Sequence, residues 1–220
     1  MIKKNSSILS VAGALCVVAT AHAANLTIRD YVVYYKDQEV GSAVFKLTRF
    51  SNHDVSRAVD VFLRTSKGDL TVSVSMLADC DARMKNEKCK VWSGDQVILD
   101  TVMDYKPDGA ILTDNLKLTS EAHGAPLGTT PYDKSMLWFV TRRPKIAESA
   151  TGEGYFFLRG KWLPTCAIYI GDTTMKLGSK TVKAHRIQTQ DGVDTYIDLY
   201  DDQGAPLRIQ FDKDITIVRH

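Results

Sequence analysis

Leu70-Thr-Val-Ser-Val-Ser-Met76 decides the class of fold. Leu70, Val72, Val74 and Met76 alternate strictly with Thr71, Ser73 and Ser75. A period of two is what a strand needs to send one set of side chains into a core and the other into water. The same pattern runs outward in both directions. On the N-terminal side, Val59, Val61 and Leu63 alternate with Asp60 and Arg64, and Ala43, Phe45 and Leu47 alternate with Val44, Lys46 and Thr48. On the C-terminal side, Leu207, Ile209 and Phe211 stand opposite Arg208, Gln210 and Asp212. Turn residues separate these runs: Asp37-Gln38, Ser51 to Asp54, Lys67-Gly68-Asp69, Pro107-Asp108-Gly109, Gly171-Asp172, Gly178-Ser179, Asp191-Gly192 and Asp201 to Gly204. Ala150 to Gly154 also reads as a turn, and Ser120 to Thr129 as a loop. The count comes to roughly ten to twelve strands around a single helix, a pattern of antiparallel β with helical cover and not of alternating βαβ.

One segment carries helix signals. In T-P-Y-D-K-S-M-L-W-F-V-T-R-R-P, Thr130 suits the N-cap and Pro131 the first helical position. Tyr132, Met136, Phe139 and Val140 share a face, Arg142 and Arg143 complement the dipole, and Pro144 ends the run. The spacing predicts a helix over 131–142. The expected fold is therefore mainly β: one strongly curved antiparallel sheet, a half-open barrel, with a central helix packed on the concave face.

Residues 1–23 read as a signal peptide. Lys3 and Lys4 precede an apolar run from Ile8 to Ala19, and Ala21-His22-Ala23 is a small-x-small cleavage site. The expectation is export to the periplasm, cleavage after Ala23, and a single domain over 24–220. With Lys3 and Lys4 removed from the 28 basic residues, the remainder balances the 26 acidic ones. Scattered charge and no net excess exclude nucleic acid as an expected partner. No later apolar run reaches the roughly 20 residues of a membrane-spanning helix, so no integral membrane segment is expected in 24–220.

Cys80 and Cys89 flank a short polar loop, and in an oxidising compartment they are expected to form a disulfide worth roughly 2 to 3 kcal/mol. Cys166 reads as a buried small hydrophobe. No zinc or calcium spacing is present around the cysteines, the histidines or Asp198, Asp201 and Asp202, and no metal or other cofactor is expected. There is no nucleophile elbow and no zinc-protease helix. Enzyme activity is thus not supported, with Glu121, His123 or Glu148 as the residues a scattered site would use.

The notable content is apolar and aromatic. Tyr34, Phe45, Trp92, Met136, Trp138, Phe139, Tyr155 and Phe157 are the cavity candidates, with Trp162 beside them. A helix of about 12 residues, roughly 18 Å long, cannot fill so large a curved sheet. An open concavity lined by such residues predicts binding of an apolar molecule: a lipid, an acyl chain or a lipidated partner. The alternative is an interaction or assembly factor of the cell envelope, with a filled core and a protein partner.

The stretches Tyr31-V-V-Y-Y-K-D-Q-E-V-G-S-A-V-F-K-Leu47, Pro131-Y-D-K-S-M-L-W-Phe139, Thr151-G-Glu153 and Asp198-L-Y-D-D-Q-G-A-P-L-R-Ile209 resemble a bacterial exported family of unknown function. That resemblance implies the half-open barrel of lipoprotein-carrier proteins and of the violacein-pathway enzyme of the same shape. It implies no catalytic residue, because none of the enzyme's can be matched position by position. The 80–89 cysteine loop departs from the pattern.

Overall fold

The computed structural model describes residues 23–81, 83–124, 144–156, 160–192 and 194–220. These residues build fourteen strands: β1 (Ala23–Tyr35), β2 (Gln38–Phe50), β3 (Val55–Thr65), β4 (Gly68–Ala78), β5 (Met84–Ser93), β6 (Gln96–Lys106), β7 (Gly109–Asp114), β8 (Thr119–Gly124), β9 (Ser149–Phe156), β10 (Lys161–Leu177), β11 (Lys180–Asp191), β12 (Asp194–Tyr200), β13 (Pro206–Asp212) and β14 (Ile215–Arg219). All lie in one antiparallel sheet, ordered β8 to β1 and then β14 back to β9. Two meanders, eight strands and six, are thus sewn together where the first strand meets the last. Tyr31 lies opposite Arg219 and Val33 opposite Ile217 at that seam. None of the described residues is helical. The helix expected over 131–142 falls outside the described residues.

The sheet is curled, as strand twist and a buried face require. Tyr105 on β6 meets Trp162 on β10 edge to face, with ring centroids 6.2 Å apart, although these strands stand near opposite edges of the sheet. One core joins Tyr31, Phe45 and Leu47 of the first meander to Ala167, Tyr169 and Ile187 of the second. β8 and β9 remain the two edges and do not pair, so the barrel is not closed. The face opposite the core carries polar pairs. Lys46 pairs with Asp60 at 3.4 Å, Ser73 donates to Asp60 at 2.7 Å, and Lys90 pairs with Asp100 at 2.9 Å. The same face also exposes Leu26, Ile28, Phe62, Ile111 and Ile197.

Four sequence expectations are corrected. The Gly171-Asp172 turn is a bulge inside a single 17-residue strand: Tyr169 lies opposite Ile187 and Gly171 opposite Arg186, with Ile170 the extra residue and Gly171 at φ +103°. Residues 150–154 are strand, not turn, because they pair with 163–167 of β10. Ser120 to Gly124 belong to the edge strand β8 instead of a loop; its exposure suits the polar composition that suggested a loop.

The fourth correction concerns the cysteines, which are free. Cys80 is exposed in the β4–β5 turn, where the Asp79 carboxylate accepts N–H bonds from Asp81 (2.8 Å) and Arg83 (2.9 Å). Cys89 lies deep in β5 on the buried face, opposite Val74 and Thr101. The strand that was read as loop begins at Met84 and carries the second sulfur away from the first.

Candidate functional site

Register maps the concave face into rows. One row runs Phe45, Val59, Val74, Cys89, Thr101 across β2 to β6; the next runs Ala43, Val61, Val72, Val91, Leu99. Phe45 at 2% exposure is locked, edge to face with Tyr31 at 6.2 Å between centroids. The cover is thinner over β3 and β4, although Cys89, Val91, Thr101 and Met103 beyond them on β5 and β6 are buried. Val59, Val61, Val72 and Val74 are only half-buried, as are Leu63, Leu70 and Met76. The strand pattern that announced the fold thus forms an aliphatic wall in which Val59, Val61, Leu63 and Met76 pack against the core yet stay only half-buried.

Polar groups border this wall. The next row is Leu47, Arg57, Met76, Glu87, Met103, in which Arg57 Nη2 lies 3.0 Å from Met76 Sδ. Tyr105 donates its hydroxyl to Glu87 Oε2 at 3.0 Å, and Glu87 is only 6% exposed. Burial, with Glu87 nearby, pushes the Cys89 thiol up to about 12, so it is a packing residue and no nucleophile at neutral pH.

The second meander presents a different concave surface. Thr189 donates to Asp198 Oδ2 at 3.3 Å, and the Gln210 N–H donates to Asp198 Oδ1 at 3.0 Å. After the bulge, Asp172 lies opposite His185. His185 Nδ1 lies 2.7 Å from Asp172 Oδ1 and Nε2 lies 2.7 Å from Asp202 Oδ1. Tyr169 donates to Asp172, and Lys183 reaches the other Asp172 oxygen at 2.8 Å. Lys183 and the Tyr169 hydroxyl hold the Asp172 carboxyl well below the usual range, while burial and Asp172 push the Tyr169 hydroxyl up to about 12. Both imidazole nitrogens are engaged by carboxylates. The ring is a pin between β10, β11 and the turn after β12, and not a base facing a substrate.

Beside this pin opens a shallow cleft of about 370 Å³. Arg29, Lys183, Asp201, Asp202, Leu207 and Arg219 line it, along with Val182 and Gln203. Its turn is firmly made: Asp201 Oδ1 accepts from the Gln203 and Ala205 N–H groups, both at 2.9 Å, and Asp201 Oδ2 takes Arg219 at 2.6 Å. Among the described residues no cluster of His, Cys, Asp or Glu is arranged to hold a metal ion.

Of the sequence's cavity candidates, Phe45 lies on the concave face inside the core. Tyr34 and Trp92 follow the buried Val33 and Val91 by one residue and so point to the other face, where Lys90 Nζ lies 5.4 Å from the Trp92 ring. Tyr155 pairs with Trp162 along the backbone. Met136, Trp138, Phe139 and Phe157, like the Tyr155 side chain, lie outside the described residues. Glu121 sits on edge strand β8, and Glu148, just before β9, accepts the Lys145 N–H at 2.9 Å. The His123 side chain is outside the description. Sequence reading missed the Asp172–His185–Asp202 pin and Arg29. The alternation of β1 placed Arg29 on the buried parity, between Thr27 and Tyr31, and was the available signal.

Among the described residues these features define a half-open, barrel-like, all-β fold. No family model matches the chain. No curated protein matches it either. Among solved structures it is similar to a beta-barrel-like protein of domain of unknown function DUF1849 from Brucella abortus. The TM-score is 0.61 at 8% identity, over 88% of this chain and 94% of that one. A DUF1089 family protein from Pseudomonas aeruginosa aligns at TM-score 0.47 and 10% identity, over 80% of this chain and 92% of that one. At 8% identity the likeness to the Brucella protein is one of fold alone.

Proposed function

We propose that the protein is a periplasmic binding or carrier protein that holds an apolar ligand, such as a lipid, an acyl chain or a lipidated partner, against its concave face. One observation carries this reading. The sheet curls far enough to bring Tyr105 to Trp162, yet the aliphatic side chains of β3 and β4 are only partly buried inside the curve. Apolar surface in a concavity gains about 25 cal/mol per Å² when a ligand removes it from water. The signal-peptide pattern of residues 1–23 favours an exported protein. Native mass spectrometry of the gently purified protein, with uptake of an environment-sensitive fluorescent fatty acid, tests it. Bound lipid mass or saturable uptake is expected; a clean apo mass with no uptake contradicts it.

A second reading, an envelope assembly factor, is favoured by one edge. β9 covers β10 only from Lys161 to Ile168, and among the described residues Ile170–Leu177 has a strand on one side only. Such an edge accepts an added strand from a protein partner. A partner recovered from periplasm and lost on Thr174→Pro would favour this reading over ligand carriage.

A further inference from the structure

Past Ile168, β10 runs on without β9. Tyr169 is still bonded from that side by Ala147 and Glu148, but over residues 172–177 the strand partner among the described residues is β11 alone. A bare strand edge is a template for another strand, and proteins blunt such edges with bulges, lysines or proline. Here the bulge ends at Gly171, before the bare stretch, and no proline lies within it. Lys176 is its only lysine. Side chains alternate along the edge. Asp172, Thr174 and Lys176 are exposed on one face, while Thr173, Met175 and Leu177 are half-buried on the other.

The sequence of this edge is its own complement. Two antiparallel copies related by a two-fold axis at Thr174 place Asp172 opposite the partner's Lys176 and Thr173 opposite the partner's Met175. Moving the axis to Thr173 or to Met175 sets neither charge opposite the other. Opposite charges facing across strands stabilise the pairing and fix its register, and the two-fold supplies the pair twice. The Asp172 carboxylate has room for a second cation. Its side chain is 44% exposed, its Oδ2 meets Lys183, and its Oδ1 takes Tyr169 and His185. Each carboxylate oxygen accepts more than one bond. The other face carries an apolar match. Ile146, 71% exposed, lies beside Gly171, its Cδ1 3.5 Å from where a Cβ on that glycine would stand. The same register sets the partner's Leu177 opposite Gly171, and so against Ile146. We infer that the protein pairs with a second copy of itself through residues 172–177 of β10, joining two sheets into one. The inference rests on the reading of this edge as a strand acceptor and names its occupant.

Sedimentation equilibrium of the full chain tests it, and a concentration-dependent monomer–dimer equilibrium is expected. Lys176→Glu faces carboxylate with carboxylate at both ends of the pairing. It should raise the dissociation constant about tenfold with an unchanged circular dichroism spectrum, whereas Lys176→Arg, which keeps the charge, should not. Register is read by crosslinking in a Cys80→Ser background under copper–phenanthroline oxidation. Thr174→Cys should close into a covalent dimer, because the residue on the axis meets itself, and Lys176→Cys should not. A monomer at every concentration, a dimer indifferent to Lys176→Glu, or equal crosslinking from positions 174 and 176 overturns the self-pairing. If a periplasmic partner of that monomer is still lost on Thr174→Pro, the edge stands as an acceptor for another protein's strand. If no partner depends on Thr174, the edge reading falls as well.

Discussion

The two concave walls are made from the same alternation and do different work. Across β10 to β12, inward positions carry Thr165, Thr189, His185, Asp198, Tyr169 and Tyr200, nearly all buried. Asp198 takes one hydroxyl and one backbone N–H, and His185 lies between two carboxylates. That wall satisfies itself. Across β3 and β4, inward positions are mainly aliphatic and half-buried, with Arg57 set against Met76 and with Val55 and Ala78 buried at one end. A polar wall completed by its own partners leaves little for a ligand to gain. An aliphatic wall left part-open gains from whatever covers it.

The sharpest division within the first meander is between its locked end and its open part. Phe45→Ala should cost about 3 to 5 kcal/mol in urea unfolding, as a fully packed aromatic does. A loss below about 1.5 kcal/mol would dissolve the distinction. Next comes the self-satisfied wall: Asp198→Ala strands the Gln210 N–H and should cost about 1 to 3 kcal/mol. Asp198→Asn, which keeps an acceptor, should recover much of it. Val61 and Val72 face each other on the open wall. Truncating either to Ala should cost only about 1 kcal/mol or less, while uptake of a fluorescent fatty acid falls. A cost as large as that at Phe45 would mean the wall is ordinary core.

The smallest effect expected is electrostatic. Asp172 has its carboxyl lowered in the folded state, first by Lys183 and then by Tyr169. A lowered folded pKa makes the contribution fully present above the unfolded value of roughly 3.9 and lost as pH falls through the folded one. Wild type should therefore exceed Asp172→Asn in denaturant midpoint at pH 7. The gap should shrink progressively below about pH 4. A gap that widens in acid would reverse the sign of the argument.

Much of this architecture is written as local pattern. Leu70 to Met76 announces a half-buried strand, and the Asp191-Gly192 and Gly178-Ser179 turns mark hairpins that form where expected. The failures share a cause. A glycine with positive φ serves a bulge as well as a turn, so Gly171 split one long strand into two on paper. Polar Ser120 to His123 looked like a loop because an edge strand has little apolar face to show. Asp172, His185 and Asp202 sit on separate elements, and only register brings them together. Cys80 and Cys89 are near in sequence but separated by a turn and half a strand, which loop length alone does not reveal. Arg29 was passed over because a lone arginine in a strand is ordinarily assigned to solvent.

The most direct measurement is photocrosslinking with a diazirine-bearing dodecanoate, mapped by peptide mass spectrometry. Adducts concentrated on the β3 and β4 segments, residues 59–76, and competed away by unlabelled dodecanoate are the predicted result. Adducts confined to the convex face, or unaffected by competitor, would contradict an open apolar wall.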